Sequence, residues 1–307
     1  MIFRHLLAAV MGVGLLSAPL CTAFAQDTGS PLPVLPKDQA AYELLPDTVK
    51  HGGVIKLATD AHYPTCESFA ADGKTMVGFE PDLWNAMAQV LGVRIAPVSI
   101  DFDGLIPGIA GGRYDTAIEC IDDSAEREKE VTFVDYSYGT GSAVYYLQTN
   151  SRIKGGDTLS LCGLSTASQV GNDVIAALHD VSAFCEKHGK PKLKIAEVPQ
   201  EAAVIIGMYA GRYDFALSDA VAFEELKKNS PKPLETFPYT LRPKTYMGFV
   251  LKKDDTALAD ALTASLKVVV AKGVYDKIWD RWEIPQAKLE DPGINLATRR
   301  PVSAPEN

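Results

Sequence analysis

Gly112-Arg113-Tyr114-Asp115 and Gly211-Arg212-Tyr213-Asp214 are the same tetrapeptide written twice in one chain. Each copy follows an apolar, helix-like stretch (Leu105 to Ala110, and Ala202 to Ala210) and precedes a short apolar strand (Thr116-Ala117-Ile118, and Phe215-Ala216-Leu217). Each strand then runs into polar residues: Glu119-Cys120-Ile121-Asp122 in the first copy, Ser218-Asp219 in the second. A shared context on both sides of a shared motif predicts two lobes built alike. In open α/β sheets ligands bind beyond the carboxyl ends of the strands, so the two polar clusters are expected to line a cleft.

Upstream of the first copy, Val54-Ile55-Lys56-Leu57-Ala58 follows Gly52-Gly53 as a strand, and Arg94 to Ser99 reads as another. Between them Pro81 to Leu91 carries apolar residues at helical spacing, with Pro81 in the first turn and Gly92 as the stop. Strand, helix, strand implies an α/β layer structure.

The chain has 307 residues, 47% hydrophobic and 22% charged, a globular composition, with a formal charge of -9. Residues 1–25 read as a signal peptide: Arg4 and His5, an apolar run from Leu6 to Leu16, and the small-x-small site Ala23-Phe24-Ala25. The rest is long for one domain of about 100–150 residues and comfortable for two. Residues 26–50, with Pro31, Pro33 and Pro36, are expected to be a flexible leader, and residues 288–307 an extended C-terminal tail. The acidic balance and the lack of Lys/Arg clusters argue against a nucleic-acid partner.

Cys66, Cys120, Cys162 and Cys185 remain once Cys21 is removed with the leader. An even count in an exported protein favours disulfides, and a Cys162–Cys185 bridge would contribute roughly 3 kcal/mol by loop closure. A zinc site on Cys185 and His188 lacks a set of four ligands, so no metal is expected. There is no Ser–His–Asp set, no His-Glu-x-x-His and no phosphate loop, and no cofactor is expected.

The chain resembles the bacterial extracellular solute-binding proteins of family 3, the periplasmic components of polar-amino-acid ABC importers. The resemblance rests on Thr59-Asp60-Ala61-His62-Tyr63-Pro64, Val77-Gly78-Phe79-Glu80-Pro81-Asp82-Leu83 and Phe102-Asp103-Gly104-Leu105-Ile106-Pro107. It continues through Glu126 to Phe133, Leu161-Cys162-Gly163 and Gly273 to Trp279. It implies a periplasmic-binding-protein-like fold, two α/β lobes joined by a two-segment hinge that closes on the ligand. Lobe 1 is expected at 51–141 plus 247–287 and lobe 2 at 142–246, with crossings near Tyr138 to Ala143 and Tyr246 to Val250.

By the same resemblance Arg127 would hold a ligand carboxylate with its planar fork. Asp219 would accept from a ligand ammonium, although it also suits an N-cap for Ala220 to Leu226. Tyr63 and Phe102 would wall the ligand, and Gly171-Asn172-Asp173 would present backbone amides at a helix start. Cys66, Cys120 and Asp122 depart from the family pattern. Cys66 and Cys120, on neighbouring cleft loops, are expected to bridge; Asp122, with Asp60 and Glu119 nearby, points to a basic or amine-bearing ligand. The implied function is capture of a small polar, carboxylate-bearing solute for an inner-membrane ABC permease, by a monomer in the periplasm. A dehydratase-like enzyme on the same scaffold and a ligand sensor for a membrane receptor are the alternatives.

Overall fold

Gly112 and Gly211 adopt the left-handed conformation, with φ of 69° and 73°, that ends the helix before each repeat. Tyr114 then packs on Gly108, and Tyr213 packs so closely on Gly207 that a β-carbon there would lie 2.4 Å from the ring. Each aspartate closes the turn onto a neighbouring strand. Asp115 donates its N–H to the Lys56 carbonyl and accepts the Lys56 N–H at 2.7 Å; Asp214 does the same with Ser165, accepting at 2.9 Å. The repeat is therefore one structural device used twice.

The computed structural model describes residues 31–139, 141–220, 226–227, 230–241 and 244–302. The chain opens with α1 (Gln39–Glu43), α2 (Asp47–Gly52) and β1 (Val54–Thr59), then a small sheet of β2 (His62–Tyr63), β3 (Glu67–Phe69) and β4 (Met76–Val77). Next come α3 (Phe79–Leu91), β5 (Arg94–Ser99), α4 (Leu105–Ala110), β6 (Thr116–Ala117), β7 (Asp122–Asp123) and β8 (Val131–Tyr138). Lobe 2 holds β9 (Ser142–Leu147), β10 (Ser165–Gln169), α5 (Val174–Lys187), β11 (Lys194–Val198), α6 (Glu201–Tyr209), β12 (Ala216–Asp219) and β13 (Leu234–Pro238). The chain returns through β14 (Tyr246–Lys252), α7 (Thr256–Ala271), α8 (Val274–Arg281), β15 (Lys288–Ile294) and α9 (Leu296–Arg299).

The lobe 1 sheet runs β15-β8-β14-β6-β1-β5, with β7 also on β14. β1 pairs in parallel with β5 and β6, while β14 pairs antiparallel with β6 and β8. One face buries Phe79, Tyr136 and Trp279 under α3, α7 and α8; Leu105 and Ile109 of α4 cover Phe133 and Val250 on the other. Both faces are covered, so the central strands β1 and β14 are largely apolar and buried. In lobe 2, β12-β9-β13 form an antiparallel sheet and β10-β11 a parallel pair, with α5 and α6 packed on separate clusters.

Two chain segments join the lobes, residues 139–141 after β8 and residues 239–245 before β14. They lie side by side: Gly139 donates its N–H to the Thr245 carbonyl at 2.9 Å, and the Tyr138 and Tyr246 rings stack with centroids 5.1 Å apart. Tyr246 pairs with Tyr138 in the lobe 1 sheet, so that residue belongs to lobe 1 rather than to lobe 2.

Two expectations need correction. The flexible leader is folded over its described part: Leu35, Ala41, Leu45 and Val49 are buried in the lobe 1 core, and the Asp38 side chain caps α1 through the Ala41 N–H. The C-terminal tail, over its described part, is an edge strand followed by a short helix, with Leu289 and Leu296 buried. Its anchor is a set of carboxylates that accept the first amides of α9: Asp135 from Leu296, Asp123 from Ala297 and Glu128 from Thr298. The expected signal peptide lies outside the described residues. No helix among the described residues is long and apolar enough to cross a membrane.

Candidate ligand-binding cleft

Strand ends and the loops after them define the cleft, as α/β architecture dictates. A cavity of about 480 Å³ lies between the lobes, a size suited to a small organic molecule. Tyr63, Phe102, Cys120, Asp122, Arg127, Asp173 and Asp219 all line it. The sequence-predicted residues Asp60 and Gly171 do not. Asp60 is buried behind the wall, where its carboxylate meets His62 Nδ1 at 2.7 Å and accepts from Gln169 Nε2 of the other lobe at 3.0 Å. Gly171 serves through its backbone, accepting from Arg127.

Both predicted disulfides are present. Cys66–Cys120 fixes the first cleft loop, which follows β6, to the β2–β3 turn, and Cys162–Cys185 ties α5 to the segment before β10. Cys120 is held further by its N–H to Glu80 Oε1 at 2.7 Å.

Tyr63 reaches across the cleft, its hydroxyl 2.8 Å from Ser218 Oγ and donating to Asp219 Oδ2 at 3.0 Å. Asp122 accepts from Thr245 Oγ1 at 2.6 Å. Arg127, whose side chain is only 10% exposed, donates from Nη1 to the Asp122 carbonyl (2.8 Å) and from Nη2 to the Gly171 carbonyl (2.9 Å). The same Nη1 lies 3.0 Å from Asp173 Oδ2, just before α5. The guanidinium thus ties lobe 1 to lobe 2 and is matched by a carboxylate of the protein. At the start of α5, Asn172 Oδ1 accepts the Val174 N–H.

Burial dominates the electrostatics. It pushes Asp122 up to about 8, assisted by the Asp219 charge, and Asp219 up to about 6. Glu201, at the first turn of α6, is pushed to about 7 by the same cause, and one of its oxygens is buried without a hydrogen-bond partner. Glu119, which lines the cavity, shares a buried cluster with Glu67 and Glu80. Burial raises all three, Glu119 to about 7. Thr59 and the amides of Asp60 and Ala61 donate to Glu119, and Tyr136 donates to Glu80.

Gln169, Lys244, Thr245 and Tyr239 also line the cavity and had no signal in the sequence. The expected alternative role of Asp219 as an N-cap falls on a segment largely outside the described residues. Cys66, Glu80 and Cys120 stand close enough to offer three ligand atoms to a metal, but with the cysteines bridged the sulfurs are not thiolates.

The arginine-binding protein ArgT of Corynebacterium glutamicum is 26% identical over 257 residues, covering 82% of this chain and 81% of that protein. A solved ancestral arginine-binding protein bound to glutamine superposes with a TM-score of 0.66 at 26% identity, over 76% of this chain and 98% of that one. An ancestral amino acid-binding protein described as a precursor of cyclohexadienyl dehydratase gives 0.64 at 26% identity, over 77% and 98%. A two-lobed α/β fold, a polar cleft at the strand ends and a profile match from residue 55 to residue 285 agree: the chain belongs to the bacterial extracellular solute-binding proteins, family 3.

Proposed function

We propose that the cleft captures a small cationic, amine-bearing solute, an amino acid or a close derivative, and that the loaded protein delivers it in the periplasm to an ABC permease. The observation that carries this reading is the pair Asp122 and Asp219, presented to one cavity from opposite lobes, with the Tyr63 and Phe102 rings beside them. Two half-buried carboxylates facing one cavity repel and are partly desolvated; a cation between them relieves both penalties and holds the lobes together. Aromatic faces add attraction for a cation and bury its apolar stem.

Arginine- and histidine-binding relatives support the same chemistry. Arg127 and Asp173 lie where one lobe grips the other, Asp122 and Asp219 where the ligand cation would sit, and the chain acts as a monomer. A thermal-shift screen of refolded, oxidised protein against amino acids, amines and opines tests this. A ligand at 100 times its Kd should stabilise by about 2.7 kcal/mol. Asp219→Ala and Asp122→Ala should each weaken the best hit roughly a hundredfold, by about 3 kcal/mol in calorimetry. Unchanged affinity in both would remove the cation site.

A dehydratase-like activity is the second reading. Its support is the Asp122 carboxyl, poised at about 8 inside the cavity and so able to give or take a proton near neutral pH. Appearance of a dehydrated product on incubation with a hit ligand would favour it.

A further inference from the structure

We infer that the cleft prefers a small organic dication without a carboxylate, such as a diamine or a guanidino-amine; this deepens the solute-binding reading and rests on it. Among the described residues Arg127 is the cleft cation placed deep enough to receive a ligand carboxylate, and the protein has supplied that carboxylate itself. Asp173, from lobe 2, stands 3.0 Å from Nη1, and the carbonyls of Asp122 and Gly171 take further donors of the same guanidinium. Lys244, the other cation among the described lining residues, is exposed.

The charges that remain are Asp122 and Asp219. Among the described residues neither forms an ion pair with a cation of the protein, and each accepts from a neutral hydroxyl, Thr245 for one and Tyr63 for the other. Two such carboxylates ask for two positive charges. A ligand carboxylate would instead enter beside Asp122, Asp173 and Asp219 and compete with Asp173 for Arg127, a like-charge juxtaposition that weakens binding. Burial first and then the Asp219 charge raise Asp122, against the pull of the Arg127 charge, which Asp173 shares.

Arginine and its decarboxylated form, agmatine, differ in the carboxylate alone and make the test. In calorimetry on the full mature, oxidised protein at neutral pH, agmatine should bind roughly tenfold tighter or more. Asp173→Asn, which releases Arg127, should shrink or reverse that ratio. Arginine binding tighter than agmatine to the unaltered protein overturns the inference and leaves the solute-binding reading standing. So does binding of neither while another amino acid binds. Silence across the whole panel removes the solute-binding reading itself. Should Asp173→Asn fail to fold, the unaltered protein with the two ligands decides alone.

Discussion

The two lobes share a turn and differ in the residues beyond it. Asp115 and Asp214 make matching pairs of backbone bonds, and Tyr114 and Tyr213 cover matching glycines. After the turn, lobe 1 places Glu119 in a buried glutamate cluster next to Cys120 and Asp122 and locks the loop with a disulfide, whereas lobe 2 ends its strand in Ser218 and Asp219, reached by Tyr63 from across the cleft. The turn is thus shared, and the two lobes differ at the few positions at the strand ends.

The disulfides offer the largest expected contrast. Cys66–Cys120 spans 54 residues and Cys162–Cys185 spans 23. Loop-closure entropy assigns them about 4 and about 3 kcal/mol, so replacing the lobe 1 pair by alanines should destabilise more in urea titration. A larger loss from the lobe 2 pair would show that packing around α5 outweighs chain entropy.

Protonation sharpens the contrast further. Burial raises Asp122 to about 8 and Glu119 and Asp123 to about 7, all in lobe 1 and all well above their unfolded values near 4. The folded state holds these protons more tightly, so the stability they contribute is full below pH 4 and is lost as pH rises through 7 to 8. The ligand-free protein should therefore melt higher at pH 6 than at pH 9, by on the order of 1 kcal/mol for each group. Cation binding should run the opposite way, weakening from pH 8 to pH 6 as Asp122 and then Asp219 protonate. Parallel pH trends for melting and binding would contradict the placement of the charge.

The smallest effect tests the shared turn. Asp115→Ala and Asp214→Ala should each destabilise by about 1 kcal/mol, since each leaves one backbone N–H without its acceptor. Unequal losses in thermal melts would mark the extra ties of Asp214 to the Ser165 hydroxyl and Arg152 as significant.

The repeat was legible because the same four residues recur between the same kinds of element, although the bonds its aspartates make reach Lys56 and Ser165, far away in the chain. The cysteines were legible from their even number in an exported chain and, for Cys66 and Cys120, from the resemblance that puts both on cleft loops. The leader helices were hidden by their prolines, although Ala41, Leu45 and Val49 recur every fourth residue and face the core. β15 reads as a loop because its register shifts on β8 between Lys288 and Gly293, breaking the alternation that marks a strand. Buried acids were the hardest to see. Glu67, Glu80 and Asp135 look like surface charge in sequence, and only distant partners such as Tyr136 and the Leu296 amide make their burial tolerable. The self-supplied partner of Arg127 belongs to the same class: nothing near Asp173 in the chain announces that it will meet a guanidinium from the other lobe.

The stacking of Tyr138 on Tyr246, with Gly139 bonded to Thr245, has a modular consequence. Lobe 2 leaves and rejoins two adjacent antiparallel strands at one spot, so in chain topology it is a cassette spliced into a hairpin. A short turn joining Tyr138 to Tyr246 would preserve the β8–β14 pairing, and a lobe with different ligand contacts could be exchanged at the same seam without re-threading the host sheet.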